Sequence, residues 1–378
     1  MSWFSGIFRL KAGPPAAPDR ETLDSRLRTA YDRTASGDLV EAERLYRGLL
    51  EDDPRDADAL YFLGVIAAAG DRVMEAADLC QKAIEIRPND PAFWFVLAVA
   101  YHQQKLLQET VDAWRTAVAL DPGYAIARNN LAAALVDHGL IDEGREELER
   151  LLASGYDTAL VRYNLGAVYR DQARIEEAIA AGRRAIEMAP DDKAAYTNLM
   201  LTMNYSEKYD AAALYDEHRR FGAHFAKPYV DPPLDTSWPR RLRVGYVSPD
   251  FRNHVVACFT EPILAHHDRA RVEVFCYHAH RWEDHVTERL RALAEHWVDC
   301  ATMPDGELAR RVRADRIDIL VDLAGHTGDN RLLVFAEKPA PVQASYLGYP
   351  GTTGVSAIDY RISDARADPP GEADRFSV

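Results

Sequence analysis

"RVGYVSPDFRNHVVACF", residues 243–259, decides how this chain is read. Its opening residues, Arg243 to Val247, form a short β-rich run that empties directly into the polar stretch Ser248–His254. Three further runs have the same character: "VEVFCYH" (272–278), "IDILVDLAG" (317–325) and "PVQASYLG" (341–348). Helical patterns, "HVTERLRALAEHW" (285–297) and "GELARRVRAD" (306–315), lie between them. Strands alternating with helices predict a parallel sheet wrapped by helices. In such a sheet ligands sit at the carboxyl ends of the strands. The loops of interest are therefore "SPDFRNH" (248–254), "GHTGDNR" (325–331) and "GYPGTTG" (348–354), each directly after a strand.

Upstream of Arg243 the pattern is different. Pro54, Pro88, Pro122 and Pro190 fall on a 34-residue grid, which Tyr156 alone breaks. Ala30, Gly64, Ala98, Ala132 and Gly166 follow the same period. So do Ala42, Ala76, Gly144 and Ala178 (Thr110 interrupting), and Ala83, Ala117 and Ala185, with Leu49 and Leu151. Paired helices approach closely only where a side chain is small, and a proline closes the second helix of each pair. This is the tetratricopeptide pattern, and it covers about 21–205. Residues 206–240, a long helix followed by "YVDPPLDTSWPRR", read as a connecting helix and proline-rich linker. The α/β lobe then occupies 241–378, and residues 1–20 read as a flexible N-terminus.

Composition bounds the function. The formal net charge of −15 argues against nucleic acid as a partner. No apolar run approaches the roughly 20 residues of a membrane span. The N-terminus lacks a secretory signal, which makes the cytoplasm the expected location. The four scattered cysteines suggest neither a disulfide framework nor a zinc site. "CYHAH" places His278 and His280 on one strand face, with Cys276 in register and His285 nearby. No acidic partner at a recognised spacing completes a site, so no metal is expected there.

The first strand-end loop carries Asp250, Asn253 and His254; the second, His326 and Thr327; the third, Gly348, Tyr349, Pro350, Gly351, Thr352 and Thr353. Glycines there would let backbone N–H groups approach a ligand. Three polar loops on one sheet edge carry more weight than any one of them. In the repeats Asn130, Asn164 and Asn198 form another 34-residue column, at a position expected to face the concave side. Asparagine offers a donor and an acceptor together, which suits an extended peptide backbone read without regard to sequence.

The repeats followed in order by "VGYVSPDFRNH", "EPILAHHD", "IDILVDLAGHT", "PAPVQASYLGYPGTTG" and "IDYRISDARADPP" resemble the protein O-linked N-acetylglucosamine transferases and SPINDLY-type O-fucosyltransferases. The resemblance implies a tetratricopeptide α-solenoid joined to a Rossmann-like lobe of a GT-B glycosyltransferase. It implies inverting, metal-independent transfer to Ser or Thr hydroxyls of a protein partner, with no cofactor. The donor would be a nucleotide-sugar, UDP-N-acetylglucosamine or GDP-fucose. It places His254 close to the reacting sugar and matches the asparagine column to a ladder for substrate backbone. It also implies a second lobe bearing a diphosphate-binding lysine, and the 137 residues after Arg241 are too few for two lobes. These 378 residues alone are therefore expected to be inactive. The alternative is a non-catalytic repeat scaffold that binds proteins or peptides.

Overall fold

The computed structural model describes residues 25–237, 239–366 and 368. The segment 1–20 read as a flexible N-terminus lies outside the described residues. The chain forms two compact units, 1–173 and 174–378.

The first unit contains α1 (Ser25–Ala35), α2 (Leu39–Asp52), α3 (Ala57–Ala69), α4 (Val73–Ile86), α5 (Pro91–Gln103), α6 (Leu107–Leu120), α7 (Ala125–Asp137), α8 (Ile141–Ala153) and α9 (Ala159–Asp171). The small-residue columns are the helix contacts. Ala30, Ala42, Ala76, Ala83, Ala98, Ala117 and Ala132 are fully buried. A Cβ on Gly64 would lie 2.7 Å from Cys80 Sγ, so α3 and α4 touch there. Thr110 is tolerated in its column because its hydroxyl donates to Leu106 O at 2.7 Å inside its own helix. Where Tyr156 replaces the grid proline, Gly155 ends α8 instead. Its φ of 86° lets Tyr156 N–H reach back to Leu151 O at 3.0 Å.

The second unit begins with α10 (Ile175–Met188), α11 (Lys193–Met203) and α12 (Ala211–His224). It continues through β1 (Leu242–Ser248), α13 (Val255–His266), β2 (Val272–His278), α14 (His285–Leu293), β3 (His296–Asp299), α15 (Asp305–Ala314), β4 (Ile319–Asp322), α16 (Leu332–Ala336), β5 (Val342–Tyr346) and β6 (Tyr360–Ile362). All neighbouring strands are parallel, in the order β3-β2-β1-β4-β5-β6. The chain runs outward from β1 to β3, returns to β4 beside β1, and runs outward again. The reversal makes the β1/β4 junction a topological switch point, where such sheets open a crevice.

Three expectations about elements differ from the structure. The helical pattern over 285–297 stops at Ala294, whose ψ of 144° turns the chain into β3. Strand β6 lies within the "IDYRISD" motif. Helix α12 is part of the lobe rather than a connector. Its Phe221 joins the apolar core with Tyr196 and Met200 of α11 and with Leu308, Phe335 and Val355. The compact division falls before α10, because α11 and α12 give their apolar faces to that core.

Candidate functional site

The β1 loop is built to hold one shape. Ser248 Oγ accepts from Asp250 N–H at 2.9 Å, closing the first turn. Phe251, fully buried, packs on Trp297 with ring centroids 5.5 Å apart. Asp284, the N-cap of α14, accepts from Asn253 N–H at 2.8 Å. His254 then caps α13, its Nδ1 accepting from Val256 N–H at 3.3 Å. A histidine cap satisfies one of the helix's orphan donors and fixes the ring beyond the carboxyl end of β1.

Asp250 lies under that ring. Its Oδ1 is 3.6 Å from His254 Nδ1 and 3.5 Å from the Arg252 guanidinium. Burial raises the Asp250 carboxyl above the ordinary range, against the pull of His254, Arg252 and His280. Asp329, in the loop after β4, raises it further, which places the two strand-end loops within electrostatic reach across the junction.

Beyond β4 lies a small hollow of about 20 Å³, lined by Asp322, Gly325, Ser345, Tyr349, Thr353 and Arg361 among others. Asp322 accepts from Ala324 N–H at 3.2 Å and Gly325 N–H at 2.8 Å. Burial outweighs those bonds and pushes its pKa up to about 6. Arg361, from β6, extends into the same hollow. Neither residue was singled out in the sequence, although an acid inside "ILVDLAG" is the kind of buried charge that marks a site.

The structure separates the sequence candidates. Asp250, Asn253 and His254 share the crevice loop; Asn253 is exposed and His254 half-buried. Tyr349, Gly351 and Thr353 line the hollow, while Pro350 is exposed beside it. Thr327 is only partly buried and spends its hydroxyl on Ala324 O at 3.0 Å. Thr352 turns inward, its Oγ1 accepting from Gly354 N–H at 3.1 Å.

His326 is corrected from ligand contact to core. It is fully buried against Phe221, His218 and Tyr349, and its Nε2 meets Thr353 O at 2.7 Å. Burial pushes its pKa down to about 3, so it stays neutral. The glycine string is corrected similarly. A Cβ on Gly348 would lie 2.0 Å from Leu323 O, and one on Gly354 2.0 Å from His218 O. Those glycines admit neighbouring backbone rather than a ligand.

The asparagine column is not an open ladder. Asn130, Asn164 and Asn198 are 6%, 2% and 5% exposed. Asn164 Nδ2 donates to Asn129 Oδ1 at 2.9 Å, which leaves Asn164 Oδ1 and Asn129 Nδ2 buried without partners among the described residues. Asn129 belongs to this polar pair and went unnoticed, because it lies one residue off the 34-residue column.

Comparison with known proteins joins these features. Residues 223–378 match the family described as glycosyl transferase family 41. Residues 27–91 and 129–193 match tetratricopeptide repeats, and a second repeat family matches 79–111. A tomato (Solanum lycopersicum) protein described as a probable UDP-N-acetylglucosamine–peptide N-acetylglucosaminyltransferase SPINDLY is 40% identical over 195 residues, 49% of this chain and 21% of the relative. A Caenorhabditis elegans UDP-N-acetylglucosamine–peptide N-acetylglucosaminyltransferase is 42% identical over 141 residues, 36% of this chain and 12% of the relative. The chain thus spans about a fifth or less of these curated relatives' length. Among solved structures, a mutant Thermobaculum terrenum O-GlcNAc transferase superposes with a TM-score of 0.62 at 32% identity, covering 85% of this chain and 56% of that one. Among the described residues no helix is long and apolar enough to cross a membrane.

Proposed function

We propose that this chain, whose residues 223–378 match glycosyl transferase family 41, belongs to its O-GlcNAc transferase and SPINDLY type and forms the acceptor and sugar side of a protein O-glycosyltransferase. The observation that carries the reading is the Asp250–His254 pair, fixed at the switch point between β1 and β4.

A Ser or Thr hydroxyl of the partner protein attacks the anomeric carbon of a nucleotide-sugar from the face opposite the diphosphate. The bond to the diphosphate breaks, its oxygen leaves with the charge, and the hydroxyl proton passes to that departing oxygen or to water. What such a site must do is position the hydroxyl and stabilise separating charge. His254 contacts the sugar or the acceptor through its outward nitrogen, and Asp250 holds the ring. Asn253, Thr327, Tyr349, Pro350, Gly351 and Thr353 border the space on the same edge. The transfer inverts the anomeric centre and uses no metal. The donor is UDP-N-acetylglucosamine, the sugar nucleotide in the relatives' names, with GDP-fucose as the competing candidate. The repeats hold the protein substrate, and the reaction takes place in the cytoplasm.

The test is transfer of labelled sugar from each donor to a Ser/Thr peptide, using the protein isolated from its own cell, with His254→Ala beside the wild type. Label on hydroxyls from one donor, cut at least tenfold by the substitution, supports the reading. Absence of label from both donors overturns it.

A further inference from the structure

The sequence left "CYHAH" without acidic partners; the fold supplies them. His278 ends β2, and the parallel register sets it directly opposite Asp299, the last residue of β3. Cys300 N–H donates to His278 O at 2.8 Å and locks that register. Glu283 arrives from the loop before α14. One ring nitrogen of His278 and one carboxylate oxygen each of Glu283 and Asp299 lie within 4.8 Å of one another.

Acidic residues near a histidine do not make a site. What points to a ligand is the histidine's own state. His278 is 1% exposed, yet neither Nδ1 nor Nε2 has a hydrogen-bond partner among the described residues. A buried polar atom left unsatisfied costs about 1–3 kcal/mol, and a native structure that carries two on one ring calls for a partner. The ring is clamped between Phe251 and Trp297, with centroids at 6.4 and 5.4 Å, so it cannot swing out to solvent. The two acids are the exposed part, with side chains 42% and 61% accessible.

We propose that the carboxyl ends of β2 and β3 hold a divalent transition-metal ion of the zinc class, bound by His278, Glu283 and Asp299. One nitrogen and two carboxylates, with water in the fourth place, suit tetrahedral zinc. Its bonds of about 2.0–2.2 Å require ligand atoms roughly 3.3–3.5 Å apart, closer than the 4.8 Å envelope. The histidine stays fixed, so closure requires Glu283 to leave Arg291 and Asp299 to turn from Trp297 Nε1, which donates to its Oδ1 at 2.8 Å. Arg291 now occupies the ion's place. Its guanidinium pairs with Glu283, lies 3.6 Å from Asp299 and sits 5.0 Å over the Trp297 ring. The metal therefore competes with an internal cation, and removing that cation strengthens binding. The nearby His280 ring, 6.4 Å from that of His278, is a second nitrogen in reach of the same space. Because Phe251 belongs to the β1 loop, the ion would brace the wall on which Asp250 and His254 are mounted. This site stands or falls independently of the transferase reading.

Zinc titration of the chelator-treated full chain, followed by calorimetry, tests it, with cobalt as a spectroscopic probe. The expected result is one ion per chain and cobalt d–d bands without a thiolate charge-transfer band. His278→Gln and Asp299→Asn should each weaken binding roughly tenfold or more, and Arg291→Gln should strengthen it several-fold. The gain in Arg291→Gln is a change that misfolding cannot imitate. Wild-type affinity in both ligand variants overturns the assignment. So does a thiolate band, which would put the ion on Cys258, or an Arg291→Gln variant that binds no more tightly than wild type.

Discussion

Gly222 offers the sharpest test of how α12 joins the α/β lobe, because two effects of one methyl group have opposite signs. In a free-standing helix Gly→Ala stabilises by up to about 1 kcal/mol. Here a Cβ would lie 1.7 Å from Gly354 O, half the 3.4 Å at which ordinary contact begins, and the obstacle is backbone. The obstacle cannot move cheaply, because Gly354 itself sits at φ 68° and is packed so closely on α12 that a Cβ on it would lie 2.0 Å from His218 O. Overpacking of this kind costs about 3 kcal/mol or more. Set against the propensity gain, Gly222→Ala should destabilise its unit by about 2 kcal/mol or more, which is about 4–8 °C in Tm for a unit of this size. Gly48, in α2, is the control. A Cβ there meets nothing within 4 Å, so Gly48→Ala should stabilise by up to about 1 kcal/mol. Scanning calorimetry gives both numbers, and hydrogen exchange of the α12 amides localises the first. If Gly222→Ala matched the control in sign, α12 would not be docked against the third loop, and the division of the chain before α10 would fail with it.

His326 predicts a pH dependence. Its folded pKa is near 3 and the unfolded one near 6.5. Between those values the unfolded chain binds the extra proton, so its contribution to stability falls as pH falls. The stability gap between His326→Gln and wild type should therefore move toward the variant by about 1.4 kcal/mol per unit below about pH 6.5; a gap unchanged in urea titrations from neutral to about pH 5 would mean the ring is not buried neutral. Asp318 binds both nitrogens of Arg240 at 2.7 Å and accepts from Arg243 N–H at 2.8 Å, with its side chain only 10% accessible. Asp318→Ala removes these three bonds while Arg240 keeps Asp235, 3.1 Å away, and should cost about 2 kcal/mol in chemical denaturation, whereas a loss under about 1 kcal/mol would reduce the pair to a surface contact. Asp56 caps α3 by accepting from Asp58 N–H at 3.0 Å and Ala59 N–H at 3.1 Å. Asp56→Ala should cost about 1 kcal/mol, and an unchanged unfolding midpoint would show the cap to be idle.

What the sequence disclosed depended on how local the cause was. The repeat grid was plain because each small residue meets a partner within its own or the next helix pair, as Gly64 meets Cys80. Strands β1, β2, β4 and β5 announced themselves as apolar runs, since both faces of the sheet are covered. Strand β3 gave no such signal: of "HWVD" only Val298 is buried. Strand β6 is three residues long at the sheet edge, with Tyr360 and Ile362 exposed. The role of α12 was hidden because Gly222 and His218 acquire meaning only from Gly354 and Tyr349, more than 130 residues later. The same distance explains His326. In a loop it reads as a site residue, and only the ring stack with Phe221 and Tyr349 shows it to be core. The asparagines were found by period, but their exposure was not theirs to declare; neighbouring helices cover them.

The β1 loop narrows the chemistry open to His254. A backbone N–H can only donate, so the bond from Val256 assigns the lone pair to Nδ1 and the proton to Nε2. In that tautomer the outward nitrogen is a donor, suited to a sugar or leaving-group oxygen, and it cannot take the acceptor's proton. For Nε2 to act as base the proton must pass to Nδ1, breaking the helix cap and turning Nδ1–H toward Asp250 at 3.6 Å. An ionised Asp250 favours that switch, and burial works against the ionised form. A protonated Asp250 offers Nδ1 a hydrogen bond instead and holds the donor tautomer. Whether His254 serves as a donor to the sugar or as a general base therefore rests on Asp250. Its burial sets whether the outward Nε2 of His254 carries the proton.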